Sequence, residues 1–147
     1  MVSRSLDDAS PQASRAPPIL VIDDDAAAAA TTIAALAEGR YRGTAESDGD
    51  AALRHVRTVL VGLVVSELYV ACAEGPCVIT VLKAERTRLP RLQVLVYTRH
   101  DDPADREWAL ATGCDALLLK SAPSAMLLRE VGRLDGGTQP AREGLRP

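Results

Sequence analysis

Four short apolar runs in this chain each stop at a charged or hydroxyl residue. Ile19-Leu20-Val21-Ile22 runs into Asp23-Asp24-Asp25, and Leu63-Val64-Val65 into Ser66-Glu67. Val94-Leu95-Val96-Tyr97 runs into Thr98, and Leu117-Leu118-Leu119 into Lys120. Continuous apolar runs of this length, separated by stretches with helical spacing, predict buried strands of a parallel sheet. Parallel strands all end on one edge, where open α/β sheets bind ligands. Acids, a hydroxyl and a lysine are thus expected to meet in one pocket.

The segments between the runs supply the rest of the pattern. Residues 26–38 predict a first helix: five alanines open it, Ile33 and Leu36 give an apolar stripe, and Gly39 ends it. Residues 41–46 predict a short second strand. Asp48-Gly49-Asp50 is a turn that opens a second helix with Ala52, Leu53 and Val56 inward. Residues 61–66 are the third strand, and a loop continues to Gly75. Pro76 falls in the first turn of a third helix with Ile79 and Leu82 inward. Residues 92–98 are the fourth strand. Pro103 opens the fourth helix, whose inward residues are Ala109 and Leu110, and Gly113 closes it. Residues 115–119 are the fifth strand. Pro123 opens the last helix, with Met126, Leu127, Val131 and Leu134 apolar. Five βα units in a row predict right-handed crossovers with helices on both faces.

Residues 1–18, rich in Ser, Ala, Pro and Asp, read as a disordered tail, residues 19–134 as one domain, and residues 135–147 as a second flexible tail. Both tails are short for an output domain. The 147 residues bury a real core, and a net charge of −3 gives no basis for nucleic-acid binding through a basic face. No apolar run approaches a membrane span and no secretory signal opens the chain, so a cytoplasmic location is expected. Cys72, Cys77 and Cys114 are odd in number and read as reduced thiols; Cys72 and Cys77 lack the further ligands of a zinc site.

The pocket's chemistry follows from its residue types. Asp23 and Asp24 after the first strand, with Glu67 opposite, repel one another unless a cation sits among them. Their hard oxygens suit Mg²⁺. Lys120 supplies a positive charge for Glu67 or for a phosphoryl oxygen, and Thr98 a hydroxyl donor for the same oxygen.

The ordered set resembles the receiver domain of bacterial two-component response regulators over about residues 19–134. The carrying residues are Asp23-Asp24, Asp48-Gly49, Thr98, the Gly113-Cys114-Asp115-Ala116 approach, and Lys120. The resemblance implies a flavodoxin-like α/β fold, a doubly wound five-stranded parallel sheet in the order 2-1-3-4-5 with five helices. In that family an aspartate ending strand three takes a phosphoryl group from a histidine kinase. The resemblance implies that Asp23 and Asp24 hold Mg²⁺ with the residue at position 67, and that Thr98 and Lys120 contact the phosphoryl oxygens. It implies a protein partner, either the kinase or a downstream signalling protein, and a homodimer through the face of helix four, strand five and helix five. It implies no enzyme activity of the domain's own.

Several positions depart from that pattern. Glu67 stands where the family has the acceptor aspartate, and its carboxylate reaches about 1.5 Å farther. Phosphoryl transfer tolerates such misplacement poorly, since about 1 Å can cost a hundredfold. The expectation is an atypical receiver that binds a partner without phosphorylation, its Glu67 placing charge where an aspartyl phosphate would lie. Ala71 and Ser121 replace prolines, and Leu117 replaces a switching aromatic. Trp108, the one tryptophan, marks an interaction face if exposed. Two alternatives stand beside this reading. One is a working phosphoacceptor, at Glu67 or at Ser66. The other takes Asp23-Asp24-Asp25 as the Asp-x-Asp of a haloacid-dehalogenase-like phosphatase.

Overall fold

The computed structural model describes residues 17–85 and 88–136. Both expected tails lie largely outside them. In chain order the elements are β1 (Ile19–Ile22), α1 (Ala26–Glu38), β2 (Gly43–Glu46), α2 (Gly49–Thr58) and β3 (Leu63–Ser66). They continue with α3 (Val78–Ala84), β4 (Gln93–Thr98), α4 (Pro103–Ala111), β5 (Ala116–Leu119) and α5 (Ser124–Gly136). The five strands form one sheet in the order β2-β1-β3-β4-β5, with every neighbouring pair parallel. This is the predicted doubly wound, flavodoxin-like architecture.

The period-two alternation of the strands divides the core into two layers. Leu20, Ile22, Val64, Val94 and Val96 point to the side covered by Leu53 and Val56 of α2, Ile79 and Leu82 of α3 and Ala109 of α4. Ile19, Val21, Val65 and Leu95 point to the side covered by Leu36 of α1 and by Leu127, Val131 and Leu134 of α5. With both faces covered, the middles of the central strands are apolar, and the polar residues Ser66, Gln93 and Thr98 come only at the ends of β3 and β4. Each can end only where the sheet meets water, and the polar residues begin there.

Several boundaries differ from the sequence reading. β2 begins at Gly43, where it starts to pair with β1, and β3 at Leu63, where it starts to pair with β4. Pro76 precedes the α3 cap, which is Cys77, and so lies outside the first turn. Gly39 caps α1 with φ −96°, and it is Arg40 that takes the left-handed conformation at φ 69°. Gly39 leaves room for a neighbour: a Cβ there would lie 2.7 Å from Leu128 Cδ2 on α5, and that side-chain end would have to shift. Gly113, by contrast, ends α4 with φ +86°, which favours glycine. Leu110 is corrected outright, being 67% exposed while Ala109 is fully buried. The inner side of α4 takes only small residues there, and the helical period turns Leu110 outward with Pro103, Arg106 and Glu107.

Candidate functional site

The strand ends converge as expected. Lys120, just past β5, places Nζ 2.7 Å from Asp23 Oδ2 and 3.0 Å from Glu67 Oε1, across 97 positions of chain in the first case. The other Glu67 oxygen, Oε2, accepts from the Thr98 hydroxyl and, at 2.9 Å, from the Leu68 backbone N–H. The second Asp23 oxygen accepts from the Asp25 N–H at 2.9 Å. Thr98 Oγ1 in turn accepts from the His100 N–H at 3.1 Å. Asp23, Glu67 and Thr98 are buried, so the network is closed off from water on its inner side.

Burial alone would depress the Lys120 ammonium, but its hydrogen bonds to Asp23 and Glu67 outweigh that and hold its pKa above the ordinary lysine value. The face of Tyr97, 5.9 Å from Nζ, adds a weaker attraction. The four carboxylate oxygens of Asp23 and Glu67 therefore all have donors within the protein. That arrangement does not fit Mg²⁺, which needs open oxygens at about 2.0–2.1 Å. Among the described residues, no group of three or more His, Cys, Asp or Glu side chains is placed to hold a metal ion.

Asp24 is exposed and stands outside the network, at the mouth of a cleft of ≈ 250 Å³ lined also by Asp23, Asp25, Glu67, Tyr69, Arg99 and His100. Asp25 is the N-cap of α1, accepting from Ala27 N at 3.0 Å and Ala28 N at 3.1 Å. On the far rim, the Tyr69 ring meets His100 edge to face at a centroid separation of 4.9 Å. The Tyr69 hydroxyl donates to Asp105 Oδ1, which pushes the phenol pKa up to about 12. The other Asp105 oxygen accepts from the Asp102 N–H at 3.3 Å and so caps α4.

The loop after Glu67 is seated by the start of α2. Asp48 caps that helix, and Asp50 Oδ1 accepts from the Ala73 N–H at 2.8 Å. At Gly49 an added Cβ would lie 2.2 Å from the Ala71 carbonyl oxygen, so only glycine allows this approach. The Asp48-Gly49 pair thus fixes the loop that follows Glu67.

Trp108 and Leu117 lie outside the pocket. Trp108 is 37% exposed on α4, and Leu110, also exposed, points to a different side of that helix. Leu117 is half-buried and lines a groove with Leu119, Ser121, Ala122 and Arg106. No described peptide bond is cis, so the Lys120–Ser121 bond is trans. Ser66 is fully buried, its hydroxyl donating to the Glu67 carbonyl at 2.8 Å. The sequence reading missed the Tyr69–His100–Asp105 rim. The signal was available: Tyr69 and His100 stand three and two residues past Ser66 and Thr98, which end the neighbouring strands β3 and β4, so both fall just beyond the same sheet edge.

Comparison with known proteins accords with this geometry. The family model described as response regulator receiver domain matches residues 19–131. Among solved structures, the signal receiver domain of a signal transduction histidine kinase from Syntrophus aciditrophicus superposes with a TM-score of 0.74 at 24% identity, over 85% of this chain and 94% of that one. A CheY-like receiver domain protein from Methanospirillum hungatei JF-1 gives 0.67 at 19% identity, over 82% and 94%. The isolated receiver domain of RcsB from Salmonella enterica serovar Typhimurium, with phosphomimetic BeF3⁻, gives 0.70 at 18% identity, over 82% and 89%. No curated protein sequence matches the chain.

Proposed function

Because the chain belongs to the response regulator receiver family, we propose that it is a two-component signalling module that works by binding a protein partner, with Glu67 in place of a phosphorylated aspartate. One observation carries this reading: Thr98 and Lys120 are both already engaged by Glu67, at its two oxygens. The family resemblance gives those two side chains the task of holding phosphoryl oxygens. Here the Glu67 oxygens stand in for them. A glutamyl phosphate would require one of these oxygens to leave buried donors, which is costly.

The same contacts weigh against the other readings. Ser66 is turned away from the cleft, which disfavours it as an acceptor. Asp23 and Asp25 are committed to Lys120 and to the cap of α1, which disfavours a phosphatase pair. The domain is read as having no catalysis of its own.

The partner is read as a histidine kinase or a downstream signalling protein, in the cytoplasm. Among the described residues no helix is long and apolar enough to cross a membrane. The face formed by α4, β5 and α5, where Leu110 is exposed, suits such a partner or a second copy, and Trp108 is half-exposed on another side of α4. The test is to incubate the pure protein with Mg²⁺ and an acyl phosphate and measure its intact mass. No mass gain is expected; the gain of one phosphoryl group overturns the proposal.

A further inference from the structure

We infer that Tyr69 and Trp108 form a docking surface on the α3 side of α4, and that it takes a basic segment of a partner protein, one that presents arginine. This goes beyond the reading above: the surface lies on the other flank of α4 from the face at β5, and its test does not depend on whether Glu67 is phosphorylated.

The chain has one tryptophan, three tyrosines and no phenylalanine. Tyr41 and Tyr97 pack against the core layer under α1 and α5. Tyr69 and Trp108 stay 42% and 37% exposed. A helix turns about 100° per residue, so Trp108 stands about 200° round α4 from Arg106. Arg106 lines the groove with Leu117 and Leu119 of β5. Trp108 is therefore on the opposite flank, the one next to α3, whose Lys83 approaches Gly113 just past the end of α4. Helical side chains lean toward the N-terminus and cover the preceding turn. The turn before Trp108 carries Asp105, whose Oδ1 holds the Tyr69 hydroxyl. One carboxylate thus links the two aromatic positions on one side of the domain. Ala104 and Ala111, exposed on the same flank, leave Trp108 without large neighbours on its own helix.

The charges around the rings select the partner. Asp105 and Asp102 both act on the Tyr69 phenol as neighbouring negative charges, and Asp24 stands on the rim of the cleft that Tyr69 lines. The nearest cations face other acids: Arg99 Nη2 lies 3.9 Å from Asp25, and Lys83 Nζ 2.7 Å from Asp115. An acidic segment is repelled by such a surface and a basic one is drawn to it. Arginine suits it better than lysine, because a flat guanidinium lies on an aromatic face while its N–H fork reaches a carboxylate. The Tyr69 ring is already held, its hydroxyl on Asp105 and its ring against His100 at 4.9 Å. Docking therefore has little further motion to freeze.

The test titrates the isotope-labelled full chain with capped octapeptides of alternating Arg-Ser, Lys-Ser or Glu-Ser and follows its amide and indole N–H signals by NMR. The Arg-Ser peptide is expected to move the Trp108 indole signal and the amides of Tyr69 and Asp105, less so as salt is raised. It is expected to bind about threefold more tightly than the Lys-Ser peptide, the scale of an exposed cation–π contact. Trp108→Leu and Tyr69→Leu are each expected to weaken it by about threefold or more, whereas Leu60→Ser, an exposed apolar site at the other end of β3, leaves it unchanged. Tyr69→Leu also gives up the bond to Asp105; if its spectrum shows an unfolded chain, Trp108→Leu decides alone. No shift at Trp108 up to about 5 mM Arg-Ser peptide, a concentration that reveals millimolar binding, overturns the inference. So do equal affinities for the arginine and lysine peptides, binding of the Glu-Ser peptide at Trp108, or shifts confined to Leu117–Leu119. A Trp108 signal that moves with protein concentration alone assigns the surface to a second copy and overturns it as well.

Discussion

Glu67→Asp tests the central feature of the pocket with the smallest change in chemistry. The substitution keeps the charge and removes one methylene, drawing the carboxylate back by about 1.5 Å. Lys120 Nζ now stands 3.0 Å from Glu67 Oε1, and retraction takes that separation to about 4.5 Å, beyond an ion pair. At an effective dielectric of about 20, the lengthening costs about 2 kcal/mol of attraction. The lost methylene adds about 0.8 kcal/mol. The variant is expected to be less stable by about 2–3 kcal/mol, which for a domain of this size lowers the melting temperature by about 10 °C. The same retraction frees Thr98 and Lys120 for a phosphoryl group and brings the carboxylate to the family's reach. With Mg²⁺ and an acyl phosphate, Glu67→Asp is expected to gain the mass of one phosphoryl group while the wild type gains none. Melting within about 2 °C of wild type refutes the claim that the glutamate arm holds Lys120. A destabilised variant that takes up no phosphoryl group refutes the claim that reach is the barrier, and moves it to Ala71, Ser121 or Leu117.

Two further outcomes follow from contacts elsewhere. Gly49→Ala puts a Cβ 2.2 Å from the Ala71 carbonyl oxygen, and the forced shift is expected to cost about 1–3 kcal/mol despite alanine's better helix propensity; urea unfolding measures it, and an unchanged midpoint sinks the account of Asp48-Gly49. Lys120 has a raised folded-state pKa, against burial and by virtue of Asp23 and Glu67. Its stabilisation is therefore complete below the unfolded value near 10.4 and is lost as pH rises through the folded value. Unfolding from pH 9 upward is expected to show a steeper alkaline loss in the wild type than in Lys120→Gln. Tyr69, whose pKa is also raised, contributes alike to both proteins and cancels in the difference, whereas Tyr97 is raised by burial against a lowering by Lys120, so its alkaline loss grows in Lys120→Gln and works against the expected difference. Equal slopes refute the assignment.

The central strands and the meeting of their ends were legible because a sheet buried on both faces leaves the middles of its strands no polar positions. Asp23, Glu67, Thr98 and Lys120 could be placed without coordinates for that reason. Which oxygen takes which donor was not legible. Glu67 was open to two arrangements, with Lys120 or with a metal ion, and only side-chain geometry separates them. The edge elements were read less well. β2 is a half-exposed edge strand containing glycine, so burial gives its limits little definition. Gly39 has the look of a left-handed helix stop, yet its φ is negative and what lies against it is Leu128, which is remote in sequence. Leu110 was placed inward on hydropathy, but the space under α4 decides, and that space admits only alanine and threonine. Tyr69 and Asp105 are 36 positions apart, and neither belongs to a motif.

That last pair has a consequence for timing. The Asp105 carboxylate holds the first turn of α4 with one oxygen and Tyr69 with the other. Tyr69 stands two residues beyond Glu67, so the entrance of α4 is moored to the segment that leaves the pocket. Coupling of this kind is reciprocal: whatever fixes the pocket also narrows the poses of α4, and a body that seizes α4 at Trp108 tightens the pocket. With the pocket already closed, a partner meets a helix that has little left to rearrange. On the proposed reading, association then approaches rigid docking, and the lifetime of the complex is set by how fast the partner leaves the exposed surface of α4. If the proposed function holds, the domain keeps time by residence on its partner, where a phosphorylated receiver keeps it by the lifetime of a phosphate.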